Sequence, residues 1–237
     1  MKPFLFLLMS TCAWSQIQLP SIGVMLDESG RARPVTGAPA AAALGQPIFD
    51  GVVISLACTA QMCLSKTASA LVSTYGDSVP APPGAAIIAF ESGLNAAAAY
   101  VYFVATGEFA LWSPGSLTPV GFAPAGDVLS LRASAVQVEF ATEHDESTWV
   151  GNLNLGPANS ILLLDGGGAL LAANGQVRLL RPDGTELDFA VTGADGFIGG
   201  FIRMSDRYVE VITTSGMWAL DVEPGHEQIF LLPGVSH

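Results

Sequence analysis

Leu26-Asp27-Glu28-Ser29-Gly30-Arg31-Ala32-Arg33-Pro34-Val35-Thr36-Gly37-Ala38-Pro39 returns further along the chain as Leu111-Trp112-Ser113-Pro114-Gly115-Ser116-Leu117-Thr118-Pro119-Val120-Gly121-Phe122-Ala123-Pro124. The offset is 85 residues (26 to 111), and no gap is needed. Leu26, Gly30, Pro34, Val35, Ala38 and Pro39 are matched by Leu111, Gly115, Pro119, Val120, Ala123 and Pro124. A fainter copy starts at Leu180 and Gly184, with Phe189 in the place of the valine. Each copy has the chemistry of a β-hairpin: an apolar strand, a turn carrying Ser-Gly, Pro-Gly or Asp-Gly, and a second strand. Glycine at such a turn takes the positive φ that a tight reversal demands.

Between the hairpins lie short apolar runs with the character of buried strands. They are Gly51–Leu56, Ala86–Phe90, Asp127–Leu131, Ser160–Leu164 and Phe197–Ile202. Their first residues, 51, 86, 127, 160 and 197, are 33 to 41 residues apart. Alternating segments follow them, such as Tyr100-Val101-Tyr102-Phe103-Val104 and Tyr208-Val209-Glu210-Val211-Ile212. Helical periodicity with caps is absent, and the alanine-rich stretches at 38–43 and 96–99 are flanked by turn residues. The fold class is therefore all-β, with one domain expected over residues 16–237.

A unit of this length holding three or four strands is the scale of a propeller blade. The apolar run would be the inner strand. Pro80, Pro82-Pro83-Gly84 and Pro124-Ala125-Gly126 would join one blade to the next. The organisation over roughly residues 20–234 resembles the β-propeller superfamily, in particular exported bacterial propeller-like proteins. The resemblance is architectural and implies five or six short blades. No Trp-Asp dipeptide or kelch-type Gly-Gly signature recurs, so it brings no site residues with it. The alternative architecture is a β-sandwich. An outer-membrane barrel is disfavoured, because Ile161-Leu162-Leu163-Leu164 does not alternate.

Composition narrows the partners. Hydrophobic residues make up 50% of the chain and charged ones 13%, enough for a substantial core. The net charge of -12, from 21 acidic and 9 basic residues, repels phosphate backbones and anionic lipid. Nucleic acid is accordingly excluded as a partner, and no membrane span is expected; an unknown protein or glycan is the expected partner.

Residues 1–15 have the form of a signal peptide: Lys2, an apolar run Phe4–Met9, and small residues Ala13 and Ser15 before a cleavage point at Gln16. The alternative is lipidation at Cys12, where Thr11 is an unusual preceding residue. Export to the periplasm or exterior leaves Cys58 and Cys63 as the mature cysteines, and an oxidising compartment favours a disulfide between them. Ile54–Cys58 and Cys63–Lys66 form two strands about a four-residue turn, which sets the two sulfurs across a ladder.

A search for chemistry finds no catalytic, cofactor-binding or metal-ligating set. His144 lies in Thr142-Glu143-His144-Asp145-Glu146-Ser147-Thr148-Trp149, which is a solvated hairpin turn in preference to a metal loop. Asp183-Gly184 is a hairpin signal without EF-hand spacing, and Asp165-Gly166-Gly167-Gly168 lacks the helix or lysine of a phosphate cradle. His226 follows Pro224-Gly225 in a turn, His237 ends the sequence, and no Gly-x-Ser-x-Gly elbow occurs. Trp112, Trp149 and Trp218 are expected to pack between blades. The leading expectation is an exported binding or scaffold module that presents loops on one face of a repeat ring. The alternative is an extracellular glycan or ester hydrolase, with Asp127, Asp165 and Asp195 converging on a central channel.

Overall fold

The computed structural model describes residues 20–38, 41–92, 98–134, 136–191, 197–214 and 216–232. Among them the chain is built of strands and turns, with no α-helix and a single-turn 3-10 segment at Asp165–Gly167. Residues 1–15, read as a signal peptide, lie outside the described residues, as do Asp195 and His237.

The strands fall into antiparallel meanders, each running outward from an inner strand. The first four-stranded meander is β4 (Ser55–Cys58), β5 (Cys63–Lys66), β6 (Ala70–Ser73) and β7 (Ser78–Pro80). The second is β8 (Ala86–Ser92), β9 (Ala99–Phe103), β10 (Glu108–Ser113) and β11 (Ser116–Val120). The third is β12 (Asp127–Ser134), β13 (Val138–His144), β14 (Ser147–Val150) and β15 (Leu153–Gly156). The fourth is β16 (Ser160–Leu163), β17 (Ala169–Ala173), β18 (Gln176–Leu180) and β19 (Glu186–Ala190). The fifth is β20 (Ile198–Arg203), β21 (Tyr208–Thr213), β22 (Gly216–Asp221) and β23 (Gln228–Leu231). A three-stranded sheet precedes them: β1 (Ser21–Leu26), β2 (Ala32–Thr36) and β3 (Ala43–Leu44).

Period-two alternation explains the local choices. In β9, Ala99, Val101 and Phe103 share one buried face, while Tyr100 and Tyr102 lie half-buried on the other. The three copies of the repeated hairpin are all hairpins, β1–β2, β10–β11 and β18–β19. Their glycines hold positive φ as the turn requires, 70° at Gly30, 75° at Gly115 and 84° at Gly184. They are not equivalent in the ring: β10–β11 and β18–β19 are outer pairs of meanders, whereas β1–β2 opens the separate three-stranded sheet.

Strands β4, β8, β12, β16 and β20 line a central channel of about 250 Å³, to which the three-stranded sheet contributes no residue. All these inner strands start where the sequence places apolar runs except β4. Gly51–Ile54 precedes it, with Val52 and Ile54 exposed. Within that run Val53 turns to the three-stranded sheet, while Ile54 lines the channel. The Val53 N–H donates to the carbonyl of Gly30 at 2.7 Å, and Val53 packs with Ala32 and Phe49.

Six apolar clusters fill the seams. Leu64, Leu71, Val101 and Trp112 join the first and second meanders. Phe109 and Phe140, with Phe122 between their strands, join the second and third. Ala141, Ile161 and Leu171 join the third and fourth; Leu170, Leu179, Val209 and Leu220 join the fourth and fifth. Ile22, Met25, Val35 and Met204 join the fifth to the three-stranded sheet, and Ala32, Val53 and Leu56 join that sheet to the first. Each fully buried leucine or phenylalanine in these seams contributes about 1.5–3 kcal/mol of transfer free energy. The three-stranded sheet is thus a wedge between the last and first meanders at the rim, while β20 and β4 meet directly inside it.

Neighbouring inner strands run in one direction. β8 and β12 pair in parallel at Glu91–Ala133 and Ser92–Ser134. Ser130 and then Arg132 on β12 meet Leu163 and then Leu164 at the end of β16. The ring therefore has two distinct faces, one at the starts of the inner strands and one at their ends.

Candidate functional site

The face at the strand ends is organised around the turn Met204-Ser205-Asp206-Arg207, which links β20 to β21. Its backbone and side chains reach three separate parts of the chain. The Val24 N–H donates to the Met204 carbonyl at 3.0 Å, and the Ser205 hydroxyl donates to the Ile22 carbonyl at 2.9 Å. The Asp206 carboxylate accepts the backbone N–H of Ala60 at 3.2 Å. Arg207 grips the buried Asp221 carboxylate through Nε and Nη2, at 2.9 and 2.6 Å, and Nη1 lies 2.7 Å from Glu223.

This turn is the ridge between two cavities. One, of about 410 Å³, opens between the fourth and fifth meanders and is lined by Asp165, Arg181, Arg203 and Pro182 among others. The other, of about 530 Å³, lies between the three-stranded sheet and the turn Thr59–Met62, with Pro34, Ile48, Met62, Tyr75 and Tyr208 in its wall. Both exceed the channel and fall in the size range of ligand sites. Tyr75 is 70% exposed at the rim, with its hydroxyl donating to the Gln61 carbonyl at 3.0 Å.

Cys58 and Cys63 form the expected disulfide, facing each other across β4 and β5 with their Cα atoms 4.1 Å apart. The bridge closes the turn that forms one wall of the larger cavity. Its position fixes Thr59–Met62 against Asp206.

The electrostatics are those of held ion pairs. Asp221 raises Arg207 above its ordinary value through hydrogen bonds that outweigh the effect of burial. Its guanidinium carbon lies 5.2 Å from the centre of the Tyr208 ring, whose phenol is pushed up, chiefly by burial. Arg203 pairs with Asp165 and donates to the Leu163 carbonyl at 2.9 Å; Arg132 donates to the carbonyls of Leu164 and Gly168, both at 2.9 Å. Two guanidiniums thereby clamp the Asp165–Gly168 turn, which is a turn as the sequence suggests.

The carboxylates considered for catalysis are not assembled. Asp165 stands at the end of β16 and Asp127 at the start of β12, on opposite faces of the ring. Asp127 precedes Arg132, which touches the Asp165 turn, by about 16 Å of extended strand. Asp195 is outside the described residues. His144, the last residue of β13, and His226 are exposed; the turn at Asp145 and Glu146 that follows His144 has φ of 50° and 57°, and the Asp183 carboxylate accepts the Thr185 N–H at 2.9 Å. Among the described residues no three of His, Cys, Asp and Glu gather to hold a metal ion. Trp112 is fully buried in its seam, Trp218 packs partly buried in another, and Trp149 is half-buried with its indole N–H on the His144 carbonyl.

The 204–207 ridge escapes a reading of the sequence. Its only signal is the polar Ser205-Asp206-Arg207 in a chain poor in charge.

No helix among the described residues is long and apolar enough to cross a membrane. No protein-family model matches the sequence, and no curated protein matches it. Solved structures do match. A chain of the nidogen/laminin complex is 13% identical, with a TM-score of 0.57 over 88% of this chain and 93% of that one. U3-55K is 14% identical, with a TM-score of 0.50 over 92% and 82%. The β-propeller domain of Cps50 (Swd1) from Myceliophteria thermophila is 12% identical, with a TM-score of 0.50 over 77% and 71%. At such identities the likeness speaks for the fold alone, and together with the ring of meanders it makes this chain a β-propeller.

Proposed function

We propose that the protein is an exported binding module that engages a protein partner through the groove on either side of the Met204–Arg207 ridge. The observation that carries this reading is the pairing of two cavities on one face with a prominently exposed tyrosine, Tyr75, at the rim. Interfaces draw their binding energy from such aromatic anchors and from arginine. The ridge is fixed from several sides, so little ordering cost is left for binding. Export accords with the signal-like residues 1–15 and with a disulfide built into the groove wall. One structural neighbour belongs to a protein complex, the nidogen/laminin assembly, which fits a partner of the same general kind.

The test uses the mature chain to isolate a partner from envelope or culture-supernatant fractions and then measures its affinity for variants. Tyr75→Ala and Ile48→Ser should weaken binding at least about tenfold if these side chains are anchors. Phe197→Ser, on the opposite face, should leave it unchanged. Equal affinity for all three variants would dismiss the groove as the site.

A further inference from the structure

Glu210 on β21 is fully buried, and neither carboxyl oxygen makes a hydrogen bond. It lies in the seam between the fifth meander and the three-stranded sheet, flanked across its own sheet by Ile202 and Ala219, with the backbone amide of Leu26 on β1 beside it. Among the described residues no charged side chain pairs with it. On the β1–β2 hairpin, Asp27 is taken by Arg33 at 2.5 Å, and Glu28 and Arg31 are exposed. On β5 the buried Lys66 ammonium donates to the Thr67 carbonyl at 2.6 Å; on β20 Arg203 turns to Asp165. Along β21 itself, Tyr208 lies under Arg207.

A carboxylate in such a seam has only the Leu26 amide to offset its burial, and its cheapest further relief is water. The wall with the fewest strands is the three-stranded sheet. Beyond apolar packing it is fastened to the fifth meander by the Val24–Met204 and Ser205–Ile22 hydrogen bonds. The approach is very close at Gly23, whose φ is 144° and where a Cβ would lie 2.3 Å from the Met204 carbonyl oxygen.

We propose that the three-stranded sheet is a proton-controlled clip: protonated Glu210 lets it close on the ring, and loss of that proton loosens it. Burial pushes the Glu210 carboxyl up to about 8 from 4.5, against the opposing pull of the Leu26 amide. A carboxyl raised in the closed state favours closure fully below pH 4.5, and that advantage is lost as pH rises to about 8. The sheet also supplies Ser21, Gly23, Val24 and Pro34 to the wall of the larger cavity, so loosening it would open the groove. Only this last consequence rests on the binding reading. The clip is tested without any ligand, so its failure leaves that reading standing.

The experiment is hydrogen exchange on the mature chain between pH 5 and pH 8, corrected for the intrinsic pH dependence of exchange. The protection of the Val24 amide is taken relative to Leu170 and Leu179 in the fourth meander. In the wild type the ratio should fall by up to about tenfold per pH unit over this range. Glu210→Gln should hold it constant, and Gly23→Ala should give a low ratio at every pH. Should Glu210→Gln fail to fold, loss of the infrared carbonyl band of a buried protonated carboxyl over the same pH range supplies the second measurement. A wild-type ratio that does not change with pH, an equal fall in Glu210→Gln, or a carboxyl band absent at pH 5 would overturn the proposal.

Discussion

The Ser130 hydroxyl on β12 accepts the backbone N–H of Leu163 on β16 at 2.9 Å, so that a side chain completes what a ladder hydrogen bond would do within a sheet. Ser55 does the same between the first two meanders, accepting the Ala86 N–H at 2.9 Å. The inner strands belong to separate meanders, and their inward amides need partners that a neighbouring strand does not always give. Ser130→Ala leaves the Leu163 amide unpaired in a buried site, and stability should drop by about 1–3 kcal/mol. Urea titration followed by tryptophan fluorescence measures the loss.

Arg203 and Asp165 have unequal roles. The guanidinium is held against the Leu163 carbonyl, whereas the Asp165 side chain is 39% exposed. Arg203→Met should destabilise by about 1–3 kcal/mol through the unpaired carbonyl and lost ion pair. Asp165→Asn should cost less than about 1 kcal/mol, as exposed pairs do. Equal losses by thermal unfolding would mean that the ion pair, and not the carbonyl contact, secures the turn.

The disulfide spans a sequence separation of 5 and so constrains little of the unfolded chain. Replacing both cysteines by alanine should lower stability by about 2 kcal/mol. Its larger effect should be local: exchange of the Ala60 amide, held by Asp206, should accelerate while the fourth meander is undisturbed. Amide exchange resolved by residue distinguishes the two.

Asp27 sets an acid limb. Partial burial pushes its carboxyl up, but hydrogen bonds from Ser29, Arg33 and the Arg31 amide prevail and bring it down to about 2 from 3.8. A carboxyl lowered in the folded state stabilises above its unfolded value, and the gain disappears as pH falls through about 2. Allowing for solvent screening, the gain is of the order of 1 kcal/mol. In Asp27→Asn the difference between pH 5 and pH 2 in chemical unfolding should shrink by that amount.

The strands and turns of this fold are written locally. Hairpin glycines at 30, 115 and 184, the paired cysteines and four of five inner-strand starts follow from alternation and turn chemistry. Gly51–Ile54 misleads because Val53 serves the wedge and only Ile54 reaches the channel, a division that depends on where Gly30 lies in space. The convergence of Asp127 and Asp165 fails for a geometric reason: with inner strands parallel, the first residue of one strand and a residue just after another stand on opposite faces. The groove has no local signature. The walls of its larger cavity come from residues 21, 23, 24, 34, 48, 59–63, 74–75 and 204–208, brought together only when the ring closes.

Site-specific photo-crosslinking from the groove is the most direct test of its role in binding. A benzophenone amino acid replaces Tyr75 on the groove rim in one variant and Phe197 on the opposite face in another, in the protein expressed in its native setting. Position 75 should give a discrete adduct with one protein partner, and position 197 should not. An adduct from position 197 with none from position 75 would contradict the assignment of the binding face.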